Sequence, residues 1–200
     1  MPNFIHVSAD MGERVSLGDN VKIWHYAQVR DDATLSDGCI IGRGAYIGTG
    51  VHLGKNCKIQ NYALVYEPAH LEDGVFIGPA AVLTNDQFPR SVSPNMELKS
   101  GDDWEAVGVT IREGASIGAR AVCVAPITIG KWATIGAGAV VTRDVPNFAL
   151  MLGVPARRAG WVGKNGHPLT DLGEGIFECP IDHTRYHLVG ADQLEEASQS

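Results

Sequence analysis

The chain has 200 residues, 44% of them apolar, which is enough for one domain with a real core. Its net charge of −7 argues against nucleic acid or an anionic membrane as the main partner, and no apolar run approaches the roughly 18 residues that a membrane helix needs. The N-terminal residues show no basic region followed by an apolar run, so no secretion signal is predicted. The four cysteines are too few for a disulfide scaffold, and a reducing cytoplasm is therefore the simplest location.

The first predicted element is a six-residue repeat that begins at Ile5. Every sixth residue from Ile5 to Leu83 is large and aliphatic, fourteen in a row. The phase then breaks, resumes at Ile111 and continues to Val141. Gly, Asn or Asp often stands three residues after such an anchor, and these residue types suit a corner because they tolerate positive φ. The pattern predicts short strands separated by turns.

A period of eighteen residues lies on top of the period of six. One column contains only isoleucine: Ile5, Ile23, Ile41, Ile59 and Ile77. Another contains only leucine: Leu17, Leu35, Leu53 and Leu71. Three hexads therefore form one coil of a triangular prism, and successive coils rise by about 4.8 Å. The sequence predicts an all-β parallel β-helix over residues 1–160.

Two segments depart from the repeat. Residues 84–110 are predicted to protrude as a loop, and a long loop in a regular rod is usually functional. Residues 161–200 are predicted to form a C-terminal extension with short strands and an acidic tail. Residues 111–165 hold seven Lys or Arg against two acids, so this zone could hold a small anionic ligand, although scattered surface charge explains the pattern as well.

The repeat units resemble the hexapeptide-repeat family over about residues 5–160. The units that carry this resemblance include Ile41-Gly42, Ile47-Gly48, Ile77-Gly78, Ile117-Gly118 and Ile135-Gly136. The resemblance implies left-handed coils and a homotrimer with active sites at the subunit interfaces. It also implies that the loop reaches over a neighbouring subunit.

The segment from Thr142 to Arg157 resembles the closing signature of hexapeptide acyltransferases. In that family the last coils bind CoA, so the resemblance implies acetyl-CoA as co-substrate. It places Ala119 and Ala137 along the pantetheine and makes Arg143 and Arg157 candidates for the phosphates.

Further segments look like a narrower group of enzymes. They are Ile23-Trp24-His25, Lys58-Ile59-Gln60-Asn61, Val65-Tyr66-Glu67, Thr84-Asn85, Pro89-Arg90 and Gly160-Trp161. This group acetylates the 3-amino group of UDP-2-acetamido-3-amino-2,3-dideoxyglucuronic acid for surface polysaccharides. Another UDP- or dTDP-linked 3- or 4-amino sugar remains an alternative acceptor. Some relatives carry paired cysteines after the position of Trp161, whereas Cys179 stands alone here, so no metal site is predicted.

The register of eighteen residues puts Glu67 directly below Asn85. We expect Asn85 to orient the sugar amine and Glu67 to attract or accept its proton, as the catalytic pair. His25 lies about three rungs, roughly 14 Å, below Asn85 and is expected nearer the nucleotide. The predicted substrate contacts are His25, Gln60, Asn61, Tyr66 and Arg90. Arg90 could pair with a uronate carboxylate through two hydrogen bonds.

Two other functions compete with acyl transfer. A trimeric metalloenzyme of the carbonic anhydrase kind uses the same β-helix, and His52 and His70 stack at eighteen residues, but an open zinc site usually needs three protein ligands. A non-catalytic scaffold is the other alternative. The loop, Asn85 and the closing CoA signature argue against a scaffold.

Overall fold

The computed structural model describes residues 2–190 and 192–197, and nearly all of its regular structure is β-strand. Three parallel sheets form the faces of a triangular prism, in agreement with the predicted left-handed parallel β-helix. The strands of the coils, in chain order, are β1 Phe4–Ile5, β2 Asp10–Met11, β3 Ser16–Leu17, β4 Lys22–Ile23, β5 Gln28–Val29, β6 Thr34–Leu35, β7 Ile40–Ile41, β8 Tyr46–Ile47, β9 His52–Leu53, β10 Lys58–Ile59, β11 Leu64–Val65, β12 His70–Leu71, β13 Phe76–Ile77, β14 Val82–Leu83, β15 Val109–Ile111, β16 Ser116–Ile117, β17 Val122–Cys123, β18 Ile127–Ile129, β19 Thr134–Ile135 and β20 Val140–Val141.

Each face collects every third strand of the coils. Face A begins with β1, face B with β2 and face C with β3. In the lower coils paired residues are eighteen apart, as Ile5 opposite Ile23 and Leu17 opposite Leu35 show. The isoleucine and leucine columns of the sequence are therefore ladders inside the prism.

The interior of the prism is filled by the anchors of the repeat. Every anchor from Ile23 to Val141 has at most 1% of its surface exposed. Ile5, in the first coil, is 43% exposed because no coil covers it from below. Burial of one aliphatic side chain contributes about 1.5–3 kcal/mol, so the regular ladder is the main source of stability.

The loop leaves the prism after β14 and returns at β15. This strand begins at Val109, two residues before Ile111, where the repeat was predicted to resume. Its neck is closed by the backbone N–H of Val107, which donates to the carbonyl oxygen of Asn85 at 3.0 Å. The 3₁₀-helix Gly101–Asp103 lies in this loop. Among the described residues, no helix is long and apolar enough to cross a membrane.

A small antiparallel region follows the last coil. Its strands are β21 Ala149–Leu152, β22 Arg157–Trp161, β23 Thr170–Gly173, β24 Ile176–Glu178, β25 Arg185–Val189 and β26 Gln193–Glu196. Strands β21 and β22 extend face A, and β23 to β26 form a separate sheet. That sheet packs on the prism where the Phe148 and Tyr186 rings lie 5.1 Å apart. Because β22 spans the predicted boundary at residue 160, the division into two domains stays a prediction.

Candidate functional site

The corners of the coils stack into three edges, and these edges carry the candidate residues. Edge AB, between faces A and B, holds residues 6–8, 24–26, 42–44, 60–62, 78–80, 118–120 and 136–138. Edge BC holds residues 12–14, 30–32, 48–50, 66–68, 84–86, 124–126 and 142–144. Edge CA holds residues 18–20, 36–38, 54–56, 72–74, 112–114 and 130–132.

Nine of the eleven predicted site residues fall on two of these edges, whereas Arg90 lies on the loop and Arg157 on β22. Edge AB carries His25, Gln60, Asn61, Ala119 and Ala137. Edge BC carries Tyr66, Glu67, Asn85 and Arg143. Within one chain the two groups stand on opposite sides of face B, so a single protomer does not bring them together.

Edge AB has a cavity of about 220 Å³ in its lower half. The cavity brings together three of the predicted substrate residues, His25, Gln60 and Asn61. Arg43 and Trp24 also line it. Sequence reasoning missed Arg43, although the register of eighteen that joins His25 to Arg43 and Arg43 to Asn61 would have found it.

Asn61 has a structural role in this cavity. Its side-chain oxygen Oδ1 accepts a hydrogen bond from the backbone N–H of Arg43 at 2.9 Å. Asp73 does the same for the N–H of Lys55, at 2.6 Å. The side-chain oxygen of Asn61 therefore holds the corner below it. A contact between Asn61 and the substrate stays a prediction.

Edge BC holds the predicted catalytic pair in the expected register. Val65 pairs with Leu83, so Glu67 lies one coil below Asn85. The Glu67 oxygen Oε2 is buried and has no hydrogen-bond partner within residues 2–190 and 192–197. It lies over Gly48 of the coil below, where an added Cβ would meet it at 2.0 Å. A buried carboxylate oxygen without a partner is costly, and such atoms are typical of functional sites.

Aromatic side chains flank this carboxylate. The rings of Tyr46 and Tyr66 lie 5.0 Å apart. Burial, and then the charge of Glu67, raises the pKa of the Tyr46 phenol. Arg90, in contrast, lies exposed on the loop, where its guanidinium donates to the carbonyl oxygen of Pro89 at 2.8 Å.

The predicted cofactor residues also lie in two separate places, a cavity at the top of the prism and edge AB. Arg143 and Arg157 line one cavity of about 250 Å³ at the top of the prism. Arg158, which sequence reasoning missed although it follows Arg157 directly, lines that cavity too and pairs with Asp192.

Ala119 and Ala137 stack on edge AB. The carbonyl oxygen of Ala119 accepts from the N–H of Gly138 at 2.9 Å. The coils approach closely here, since a Cβ on Gly118 would meet the Ala137 nitrogen at 2.5 Å, whereas nothing lies within 4 Å of a Cβ on Gly138.

Face C presents the two histidines that were considered as metal ligands. The rings of His52 and His70 stack with centroids 4.7 Å apart and line a cavity of about 290 Å³ with Glu72, Asp73 and Glu113. Burial, and then the charge of His70, lowers the pKa of His52. In the part of the chain that the structure describes, no three His, Cys, Asp or Glu are grouped so as to hold a metal ion.

Two family models match the coils. Bacterial transferase hexapeptide (six repeats) matches residues 14–49, and hexapeptide repeat of succinyl-transferase matches residues 108–143. These matches lie on both sides of the loop. They confirm the predicted resemblance to hexapeptide-repeat proteins.

Curated relatives match shorter segments. Over 59 residues the chain is 56% identical to dTDP-3-amino-3,6-dideoxy-alpha-D-galactopyranose 3-N-acetyltransferase of Aneurinibacillus thermoaerophilus, covering 29% of this chain and 31% of the relative. Over 70 residues it is 43% identical to bifunctional protein GlmU of Fervidobacterium nodosum, covering 34% of this chain and 16% of the relative. The matches thus span less than a third of these relatives' own length.

A solved structure matches most of the fold. A mutant of AntD, an N-acyltransferase from Bacillus cereus, in complex with dTDP and coenzyme A, superimposes with a TM-score of 0.55. The match covers 80% of each chain at 17% sequence identity. At this identity the likeness concerns the fold alone.

Proposed function

We propose that this hexapeptide-repeat protein is an acetyl-CoA-dependent N-acetyltransferase for the amino group of a nucleotide-linked amino sugar. The observation that carries the proposal is the 56% identity, over 59 residues, to a nucleotide-linked 3-amino-sugar 3-N-acetyltransferase. The most specific acceptor that we propose is UDP-2-acetamido-3-amino-2,3-dideoxyglucuronic acid, for surface polysaccharide biosynthesis in the cytoplasm. Another UDP- or dTDP-linked 3- or 4-amino sugar is the alternative.

The proposed reaction needs little acid–base chemistry from the protein. The neutral amine attacks the thioester carbonyl, a C–N bond forms, the C–S bond breaks, and CoA leaves as the thiol. Asn85 accepts a hydrogen bond from the amine and fixes its direction, while Glu67 takes the proton that the amine loses and passes it to the departing thiolate of CoA. Placement of two reactants in line can lower the barrier by about 7–11 kcal/mol in the best cases, so positioning is the larger contribution.

The buried oxygen of Glu67 supports its role as proton acceptor. At the other corners, such as Asp31 beside the N–H of Glu13 at 2.8 Å, the side-chain oxygen is satisfied by the backbone below. Oε2 of Glu67 occupies the matching place over Gly48 but has no such bond. An oxygen that no backbone group satisfies remains available for a proton.

A homotrimer would unite the two groups of site residues. The outward side chains of face B from the third coil upward are apolar: Tyr46, Leu64, Val82, Val122 and Val140. Those of face C are Ser, Thr and His. If face B turns toward a threefold axis, edge AB of one subunit lies against edge BC of the next. Sedimentation should then show trimers that Val82→Glu dissociates and that Thr34→Glu, on face C, leaves intact.

The cofactor would follow the upper part of this interface. We propose that Arg143 and Arg157 bind the phosphates of CoA, because they converge with Arg158 on one cavity, where three arginines outnumber the two acids Asp144 and Asp192. The backbone at Ala119 and Ala137 would line the pantetheine, since nothing lies within 4 Å of a Cβ built on Gly138, next to Ala137.

The test is a thiol-release assay with acetyl-CoA and a panel of UDP- and dTDP-linked 3-amino and 4-amino sugars. Turnover of the UDP-linked 3-amino uronate alone supports the specific acceptor and gives Arg90 a carboxylate to bind. Turnover only of neutral 6-deoxy amino sugars supports the general activity and overturns the uronate. Release no faster than in the absence of any sugar, across the whole panel, overturns the proposed activity.

A further inference from the structure

We propose that the cavity on edge AB, lined by Trp24, Gly42, Arg43, Gln60 and Asn61, is the subsite for the nucleoside diphosphate half of the substrate. Arg43 is the ligand of the diphosphate, and Trp24 provides the stacking surface for the base. This inference rests on the proposed function. To the expectation that the nucleotide lies near His25 it adds two roles that neither the sequence motifs nor the comparisons assign, those of Arg43 and Trp24.

The cavity exists because one coil carries glycine on both sides of Arg43 at its corner. Gly42 and Gly44 stand where the coil below has Trp24 and Tyr26. The coil above has Gln60 and Tyr62 at the same positions. Both neighbouring coils therefore project beyond the middle one, and Gly42 forms the floor of the notch.

Arg43 lies at the centre of this notch with its backbone fixed. Its N–H is held by Asn61 at 2.9 Å, and its guanidinium lies over the ring of Tyr26 at 5.4 Å from the centroid. A guanidinium binds phosphate oxygens through two parallel hydrogen bonds, and a stacked, anchored arginine loses less conformational freedom on binding than a free one.

Within one subunit, edge AB and face A around Arg43 are free of acidic side chains. Edge AB and the outward positions of face A carry four bases, Lys22, Arg43, Lys58 and Arg120, and no Asp or Glu among the described coil residues. The protein as a whole has net charge −7, so this is a strong local deviation. Lys22 and Lys58 pair on either side of Ile40, which lines the cavity. An anionic ligand is therefore attracted to this edge in preference to the other two.

The coil below Arg43 contributes aromatic surface to the cavity. Trp24 is 40% exposed although it is the largest side chain of the cavity wall. Its neighbour His25 is held by stacking on His6, with ring centroids 3.5 Å apart. Exposed aromatic rings beside a cation are the usual platform for a nucleobase, because every base offers a π-face.

The spacing along the edge fits a substrate of this kind. Arg43 lies three rungs below Ala119, about 14 Å at the strand spacing. A hexose and the thioester end of the cofactor can occupy that interval. The diphosphate would then lie at Arg43, the sugar above it and the pantetheine at Ala119.

The experiment is calorimetric titration of the full-length protein with UDP, dTDP and GDP, and separately with CoA. We expect Arg43→Gln to raise the Kd of the preferred nucleoside diphosphate at least about tenfold, as loss of a bidentate arginine contact does, with the Kd for CoA unchanged. The matched control is Lys55→Gln, which removes one positive charge on edge CA and should leave both constants within about twofold of the wild type. The preferred nucleotide should also quench tryptophan fluorescence in the wild type and much less in Trp24→Phe.

The nucleotide titrations distinguish three outcomes. A selective loss of nucleotide affinity in Arg43→Gln supports the subsite. Equal nucleotide affinity in Arg43→Gln and the wild type overturns it, even if acetyl transfer is observed. Absence of binding by all three nucleotides also overturns it, whereas the proposed activity is judged independently by thiol release and CoA binding.

Discussion

Edges AB and CA have the same corner geometry, but their side chains differ in how often they accept hydrogen bonds from the backbone of a neighbouring coil. On edge CA the acids satisfy backbone groups of the neighbouring coil, as Asp37 does for the N–H of Asp19 at 2.9 Å. Glu72 likewise accepts from the N–H of Glu113 at 2.9 Å and pairs with Arg112 at 2.6 Å. On edge AB only Asn61, together with Ser8 beneath Tyr26, makes such a bond among the described corners.

The difference shows that side-chain capping is optional at a hexapeptide corner. The coils of edge AB close with Gly and Ala at positions such as Gly118 and Ala137, and their strands pair as well as those elsewhere. Polar and charged residues that remain on this edge are therefore free to bind a ligand. Edge BC is intermediate, because Asp31 caps the coil below while Glu67 does not.

The largest effect is expected from the catalytic pair on edge BC. Asn85→Ala should lower kcat/KM on the order of 10²-fold, because the amine loses the group that directs it. Steady-state thiol release measures this effect. Asn95→Ala, an exposed change in the same loop, should be near the wild type. Full kcat/KM in Asn85→Ala would show that edge BC carries no chemistry.

A second change tests whether the carboxylate of Glu67 is held over Gly48. Gly48→Ala places a Cβ at 2.0 Å from Oε2 of Glu67 and at 2.7 Å from its nitrogen. We expect a loss of about 1–3 kcal/mol in the free energy of unfolding, because the carboxylate and its backbone must move. Urea unfolding measures it, with Gly101→Ala as control because nothing lies within 4 Å of its Cβ. Equal stability of the two variants would mean that Glu67 is not held over Gly48.

A third change tests the absence of acids on edge AB. Asn61→Asp should keep the melting temperature, since Asp73 caps the equivalent corner with a carboxylate. The new negative charge should nevertheless raise KM for the nucleotide sugar about tenfold, because it lies beside Arg43. Asn56→Asp adds the same charge on edge CA and should leave KM unchanged. Equal KM values for both variants would remove the electrostatic distinction between the edges.

The smallest effect concerns face C. The pKa of His52 is lowered, first by burial and then by His70, so the unfolded chain binds more protons than the folded one around its ordinary pKa. Stability should therefore fall as the pH falls through about 6.5. Melting temperatures between about pH 5.5 and pH 7.5 should differ less in His52→Gln than in the wild type. The exposed His167→Gln should retain the full difference, and an unchanged pH dependence in His52→Gln would contradict the assignment.

The sequence by itself determined the coils, because each anchor must enter the interior and an error of one residue would expose the whole ladder. The period of eighteen also placed Glu67 below Asn85 and His52 beside His70, since vertical neighbours follow from counting alone. Sequence motifs could likewise select His25 and Gln60, which the structure brings to one cavity.

Other features were decided only by the tertiary structure. The cavity at Arg43 depends on Gly42 and Gly44 lying between two coils that have side chains at those positions, and the burial of Oε2 of Glu67 depends on Gly48, nineteen residues earlier. A repeat fixes where each backbone position lies, but the destination of a side chain is set by the atoms of the coils above and below it.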